Sequence, residues 1–204
     1  NFLRAQINPH LLFNTLNMFY GAAQEKSEEL PDMMLGLANA MRYALQDGNR
    51  KRVFLQREIG FLHDYVKLQE LRLEGRAQVS FVTHTADLHL QVPPLLFIVL
   101  VENAFKYASD HHVDGIVINL RLEVKRNQLC FRTENNIGDA LAGSGATGLG
   151  LANLRQRLAL IYGDQSASLH TMTAGHLYIA ELTLPLEFAP LRSNPNRKKS
   201  LFPT

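Results

Sequence analysis

The spacing of apolar residues predicts two amphipathic helices in the first quarter of the chain. Leu3, Ile7 and Leu11 lie four residues apart, as they would on one face of a helix. Apolar residues repeat at helical spacing again from Leu30 to Leu45, and the turn-forming residues 47–49 follow. We expect the two helices to form an antiparallel hairpin. Because such a hairpin cannot bury both of its faces alone, we expect two copies to associate as a four-helix bundle.

The rest of the chain predicts a sheet covered by helices. A third helix is expected from Leu55 to about Gly75, and the segment from Leu95 to Ala108 is apolar and of helical length. Apolar and polar residues alternate strictly from Ile116 to Val124, which predicts a strand. Shorter patterns predict strands near residues 79–81, 88–92, 129–131, 167–172 and 177–184, and a helix over 149–162. The predicted fold class is α+β, in which a helical hairpin precedes a two-layer α/β sandwich.

Composition and charge fit a globular protein with a basic end. The chain has 204 residues, of which 46% are hydrophobic and 20% charged, and its formal net charge is +2. The basic surplus lies in residues 189–204, so the near-neutral remainder gives no support for a nucleic-acid-binding face. We expect three regions: the hairpin over residues 1–50, the α/β domain over 51–188, and a disordered basic tail over 189–204.

A row of uncharged polar side chains marks the first predicted helix. Gln6, His10, Asn14 and Asn17 are three or four residues apart, so they share one helix face. An imidazole with a pKa of about 6.5 keeps a neutral, nucleophilic nitrogen near neutral pH and can carry a phosphoryl group. Pro9 removes a backbone N–H directly before His10. A lone histidine on a helix is more often a surface or core residue, and the residues alone leave this alternative open.

The apolar segment after Pro94 has polar residues at its centre. Glu102 and Asn103 interrupt it, and buried polar groups without partners cost about 1–3 kcal/mol each. A hydrated Mg²⁺ that holds a triphosphate would be one partner for them. Lys106 follows on the same face as Asn103 and can reach a phosphate. The alternative is a helix whose polar residues simply face solvent.

A glycine-rich stretch, residues 143–150, precedes the last predicted helix. Gly143, Gly145 and Gly148 satisfy the dinucleotide pattern G-x-G-x-x-G, but no βαβ unit surrounds them. The Lys-Ser/Thr pair of a P-loop is also missing after the glycines. Backbone N–H groups at the start of the following helix could still bind phosphates. A flexible surface loop is the alternative.

These segments resemble the LytS-like sensor histidine kinases, over residues 4–186. Residues 6–17 resemble the phosphoacceptor helix of that family, which reads close to Q-I-N-P-H-F-L-F-N-x-L-N. Residues 93–107 resemble its N box, P-P-x-x-L-x-P-L-V-E-N-A-x-K-H, and Tyr107 replaces the last histidine. Residues 148–158 resemble its glycine box, G-x-G-L-x-N-x-x-x-R-L.

Residues 133–138 correspond to the adenine-binding loop of the same ATPase superfamily, which also includes gyrase and MutL. The family form is D-N-G-x-G, whose aspartate receives the adenine amino group. Glu134 falls at the aspartate position, Asn135 matches the asparagine, and Asn136 replaces the first glycine. This segment is the main departure from the family pattern, and Asn135 or a water is the alternative partner for adenine.

The resemblance implies a role for each matched residue. His10 would be the phosphoacceptor, and Asn14 would position a water that dephosphorylates the partner protein. Asn103 would bind Mg²⁺. The residues implied to bind ATP are Glu102, Asn103, Lys106, Tyr107, Glu134, Asn135, Gly138, Gly148 and Gly150.

The implied function is ATP-dependent autophosphorylation on histidine, with Mg²⁺, followed by transfer to an aspartate of a response regulator. That regulator is expected to carry a LytTR-type DNA-binding domain, whereas the chain itself is expected to be a homodimer that binds no nucleic acid. We also expect the chain to be the cytoplasmic portion of a membrane protein whose sensor region precedes residue 1.

Two other functions stay open. The altered residues 134–138 favour a catalytically silent module that dimerises and senses nucleotide. A gyrase-like or MutL-like ATPase acting on nucleic acid is the third candidate, and both the near-neutral charge and the histidine-bearing hairpin argue against it.

Overall fold

The computed structural model describes residues 19–21, 23–24, 28–73, 75–85, 90–109, 115–125, 127–137, 149–163 and 167–186. Its longer helices are α1 (Leu30–Gln46), α2 (Leu55–Arg72), α3 (Ile98–Ser109) and α4 (Leu149–Tyr162). Its strands are β1 (Val53–Phe54), β2 (Ala77–His84), β3 (Gln91–Val92), β4 (Ile116–Lys125), β5 (Gln128–Asn136), β6 (Ser168–Ala174) and β7 (Leu177–Pro185).

The main sheet has the strand order β2-β4-β5-β7-β6. β2 runs parallel to β4, and every other pair in this sheet is antiparallel. Alternate residues of β4, among them Ile118, Leu120 and Leu122, are buried against the helices, and Phe131 of β5 continues the same face. Because α3 packs on β4 and β5, the helices and the sheet form two layers. The predicted α+β class is confirmed.

The turn before α3 differs from the predicted helix. The apolar segment was expected to be helical from Leu95, but α3 begins at Ile98. Residues 94–97 form a turn in which Leu95 has a φ of 59°, a left-handed conformation that non-glycine residues rarely adopt. The preceding prolines favour an extended or turn conformation, which apolar spacing does not reveal.

The end of α1 packs into the core of the α/β part. Tyr43 stacks on Phe61 of α2 with ring centroids 4.7 Å apart, and Ala40 lies in the same buried cluster as the sheet residues. Helix α1 ends directly before the turn at residues 47–49, as predicted. The domain boundary after residue 50 stays a prediction. The first predicted helix and the basic tail lie outside the described residues.

Candidate nucleotide site

The polar residues of α3 lie where the helix meets the rest of the core. Val101, Ala104 and Phe105 are buried, whereas Glu102 and Asn103 are half-buried. The Nδ2 of Asn103 is buried and has no hydrogen-bond partner among the described residues. A buried donor left unpaired costs about 1–3 kcal/mol, so a partner other than the described residues is expected for it.

A second unpaired amide atom lies on β5, in the strand against which α3 packs. Thr133 and Asn135 are buried, and Asn135 is 0% exposed. The Asn135 Nδ2 donates to the backbone carbonyl of Asn136 at 3.1 Å, but its Oδ1 has no hydrogen-bond partner in the described part of the chain. Helix α3 and the strand on which it packs therefore each carry one buried amide atom without a partner among the described residues, a donor on α3 and an acceptor on β5, a combination that suits a polar ligand.

Glu134 lies on the other face of the sheet. Because side chains alternate along a strand, the inward placement of Thr133 and Asn135 directs Glu134 away from the helices. There it accepts a hydrogen bond from the Nε of Arg132 at 2.7 Å, and Arg132 also reaches Glu181 of β7. The structure does not bring Glu134 together with Asn103, so the expected contact between Glu134 and adenine does not fit this geometry.

Asn136, at the position of the first family glycine, is used within the fold. Its Nδ2 donates to the carbonyl of Gly115 at 3.0 Å, and its Oδ1 accepts from the backbone N–H of Val117 at 2.9 Å. These two bonds attach the end of β5 to the start of β4. The asparagine thus has a structural role that a glycine could not fill.

The carboxyl of Glu102 has little water around it. Burial raises its pKa to about 7, from an ordinary value of 4.5. The buried phenol of Tyr65 on α2 lies close enough that its pKa, raised first by burial, is raised further by the charge of Glu102. Glu102 therefore lies near Tyr65 of α2, and near neutral pH its carboxyl is divided between its neutral and ionised forms.

The structure describes some of the other predicted site residues and leaves the rest outside the described ranges. Lys106 is exposed in the last turn of α3, and Tyr107 follows it in the helix. Gly150 lies in the first turn of α4, where an added Cβ would meet the Cγ1 of Val99 at 3.5 Å. The start of α4 is therefore next to α3. His10, Asn14, Gly138 and Gly148 lie outside the described residues.

One buried polar group in α2 is not among the residues to which the sequence analysis assigns a function. It is the carboxyl of Glu58. In the structure it is 0% exposed and hydrogen-bonded to two other segments. A glutamate at an inward position of an amphipathic helix, between Leu55 and Leu62, was the available signal.

The described residues contain neither a membrane-crossing helix nor a cluster of metal-binding side chains. No described helix is long and apolar enough to cross a membrane. No group of three or more His, Cys, Asp or Glu side chains in the described part of the chain is placed to hold a metal ion. A Mg²⁺ held by one amide and by phosphate oxygens does not need such a group.

Comparison with known proteins confirms the resemblance to LytS-like sensor histidine kinases. The profile of the family described as histidine kinase matches residues 1–77. Sensor protein LytS of Enterococcus faecalis is 27% identical over 96% of this chain and 35% of the relative. Sensor protein LytS of Streptococcus agalactiae is 30% identical over 80% of this chain and 30% of the relative. The chain thus spans about a third of the length of these curated relatives.

Among solved structures, the chain is similar to a histidine kinase domain from Erythrobacter litoralis, part of a blue-light activated histidine kinase. The TM-score is 0.47 at 19% sequence identity, over 78% of this chain and 75% of that chain.

Proposed function

We propose, from the relationship of this chain to the LytS-like sensor histidine kinases, that it is the catalytic part of a protein histidine kinase. In this function ATP binds between α3 and the sheet, and its γ-phosphoryl group is transferred to His10. The observation that carries the proposal is the pair of unpaired amide atoms, Asn103 Nδ2 and Asn135 Oδ1, in that layer. A response-regulator aspartate, in a protein with a LytTR-type domain, would receive the phosphoryl group next.

The residues near α3 suit the phosphate end of ATP. Asn103 would hold Mg²⁺ through its amide oxygen, since Mg²⁺ prefers oxygen ligands, and its unpaired Nδ2 would donate to a phosphate oxygen. When bound, Mg²⁺ would neutralise negative charge on the phosphates. Lys106 would add a positive charge one turn later, with Tyr107 beside it. The start of α4 offers backbone N–H groups to the phosphates, with Gly150 in that turn and Gly148 directly before it.

Asn135 would bind the adenine end of ATP. Its unpaired Oδ1 can accept a hydrogen bond from the exocyclic amino group of adenine, as a carboxylate would. Glu134, on the outer face, does not take part in this contact. Gly138 follows the strand and would let the chain pass close to the base. Glu102, whose carboxyl has a raised pKa, would lie beside the phosphates.

The proposed assembly is a homodimer with His10 and Asn14 in its helical hairpins. Exposed apolar residues on α1 support it, since Met34 is 55%, Leu35 59% and Leu45 62% exposed. A second copy would cover them in a four-helix bundle. We propose further that the chain is the cytoplasmic portion of a membrane-bound sensor.

Labelling with ATP that carries a radioactive γ-phosphate tests this function. The wild-type protein with Mg²⁺ should gain label that is lost in acid, as phosphohistidine is, and His10→Gln should gain none. Because glutamine is also uncharged and polar, it preserves the polar character of the predicted helix face that carries His10. Full labelling of His10→Gln would contradict the assignment.

A catalytically silent module that senses nucleotide is the second candidate. The observation that favours it is the outward direction of Glu134, the residue at the position of the family's adenine-binding aspartate. Such a module would bind Mg·ATP in a calorimeter but would show no label on any residue. The labelling experiment therefore separates the two functions.

A further inference from the structure

A single buried oxygen joins three segments of the protein. The Oε2 of Glu58, on α2, accepts a hydrogen bond from the hydroxyl of Tyr43 on α1. The same oxygen accepts the backbone N–H of Leu95 at 3.0 Å. Glu58 is completely buried, so water does not compete for these bonds. Helix α1 and the turn before α3 are thus attached to the same atom.

The turn that Glu58 holds is strained and is also held from its other side. Leu95 has a φ of 59°, which costs a non-glycine residue about 1–2 kcal/mol. Arg157 of α4 donates from Nη2 to the carbonyl of Pro94 at 2.7 Å and from Nη1 to the carbonyl of Leu95 at 3.2 Å. One side chain therefore holds the N–H of the turn and another holds its carbonyls, which is how a strained turn is kept in place.

The opposite charges of Glu58 and Arg157 help to hold the turn before α3 in place. Burial raises the pKa of Glu58 to about 7, while the bonds from Tyr43 and Leu95 and the nearby charge of Arg157 lower it. Burial lowers the pKa of Arg157, and the negative charge of Glu58 raises it. The two side chains favour each other's charged forms across the turn, so each depends on the other in a place where an unpaired charge would be costly.

We infer that Glu58 is a positioning residue for nucleotide binding: through the turn at Pro94–Leu95 it fixes α3, which carries Asn103, relative to α1 and α4. The turn lies directly before α3, and Asn103 comes in the second turn of that helix. A shift of the turn would move Asn103 with respect to Asn135 on the sheet. The effect on ATP rests on the proposed function, but the effect on the turn does not.

A purely structural role for Glu58 makes a different prediction. If the buried carboxylate only filled and stabilised the core, its replacement would lower the unfolding temperature and leave the folded protein with unchanged affinity for ATP. A positioning role instead changes the KM for ATP more than kcat, because the folded protein holds α3 in a less favourable place.

The test compares Glu58→Gln, Tyr43→Phe and the double variant with Glu70→Gln, which makes the same change at an exposed position of α2. We expect Glu58→Gln to raise the KM for ATP in autophosphorylation about tenfold and to change kcat less than threefold, a loss of the size of one charged hydrogen bond. Tyr43→Phe should raise KM less. The double variant should be no worse than Glu58→Gln, because both changes act through one oxygen.

Amide hydrogen exchange without nucleotide gives the independent measurement. Exchange at residues 95–100 should become faster in Glu58→Gln and in Tyr43→Phe, and should match the wild type in Glu70→Gln. If Glu58→Gln does not fold, the KM for ATP and the amide exchange of Tyr43→Phe are used in its place. Unchanged exchange and unchanged KM would overturn the inference, as would additive effects in the double variant. If the wild-type protein gains no label from ATP but amide exchange at residues 95–100 is faster in the variants, the kinase function is rejected. The role of Glu58 in positioning the turn is then still supported.

Discussion

Ionisable side chains that lose water on folding make the stability of this protein depend on pH. Glu102 is the clearest single case near the proposed site, because burial alone raises its pKa to about 7. The unfolded chain has the ordinary value of 4.5 for this group. Between these two pH values the folded state keeps a proton that the unfolded state has lost. The stabilisation from Glu102 is therefore complete below pH 4.5 and is lost as the pH rises through 7.

Replacing Glu102 by glutamine should remove this part of the pH dependence. We expect the free energy of unfolding of Glu102→Gln to fall less than that of the wild type between pH 4.5 and 7, by an amount on the order of 2 kcal/mol after allowing for partial exposure. Urea unfolding at several pH values measures it. The pH dependence that remains in the variant should come in part from Glu58, because burial raises the pKa of Glu58 to about 7 as well. Parallel curves for variant and wild type would contradict the expected burial of Glu102.

Some residue positions could be read from the sequence and others could not. The apolar Leu129 and Phe131 already imply that Thr133 and Asn135 share the inner face of β5, so the outward direction of Glu134 followed from the alternation. The family pattern instead placed Glu134 at the position of the residue that contacts adenine. The bonds of Glu58 were not predictable, because Tyr43 and Leu95 are 15 and 37 residues away from it.

Local turns decide how the helices are placed against the sheet. Gly48 lies just after α1, and its N–H donates to the carbonyl of Tyr43 at 3.2 Å. A Cβ at this position would be 2.3 Å from the carbonyl oxygen of Ala44 and 2.9 Å from Cδ1 of Leu95. The glycine therefore permits a close approach between the end of α1 and the turn before α3.

Two glycine-to-alanine changes should have opposite effects. Gly48→Ala should destabilise the protein by about 1–3 kcal/mol, since a backbone oxygen cannot move away as a flexible side chain could. Gly60→Ala, in the middle of α2 with nothing within 4 Å of the added methyl group, should stabilise it by about 0.5–1 kcal/mol. Urea unfolding measures both changes. A Gly48→Ala protein as stable as the wild type would contradict the close approach.

The helices and strands with strong periodicity were the predictable elements. The end of α1 and the extent of β4 agree with the sequence patterns, because the turn signal at residues 47–49 and strict alternation are local. The start of α3 was predicted too early, since the conformation of Leu95 depends on Glu58 and Arg157 from distant segments.

On the scale of the whole molecule, one hydrophobic core connects the end of α1 with the sheet. Tyr43 and Ala40 belong to the same buried cluster as Phe131 and Leu182. The α+β class was predictable from the order of the patterns, whereas the strand order β2-β4-β5-β7-β6 depends on long-range pairing that no local pattern encodes. The shared core thus joins the end of α1 to the sheet that carries part of the proposed nucleotide site.

The central claim is that ATP binds on the helix side of the sheet, against Asn103 and Asn135. Neighbouring residues on opposite faces of β5 test it most directly, by calorimetric titration of Mg·ATP into Asn135→Leu and Glu134→Gln. Asn135→Leu should bind about tenfold more weakly than the wild type, as expected for the loss of one buried hydrogen bond, and Glu134→Gln should bind within about twofold of it. Weak binding by Glu134→Gln together with wild-type binding by Asn135→Leu would contradict this placement of the nucleotide.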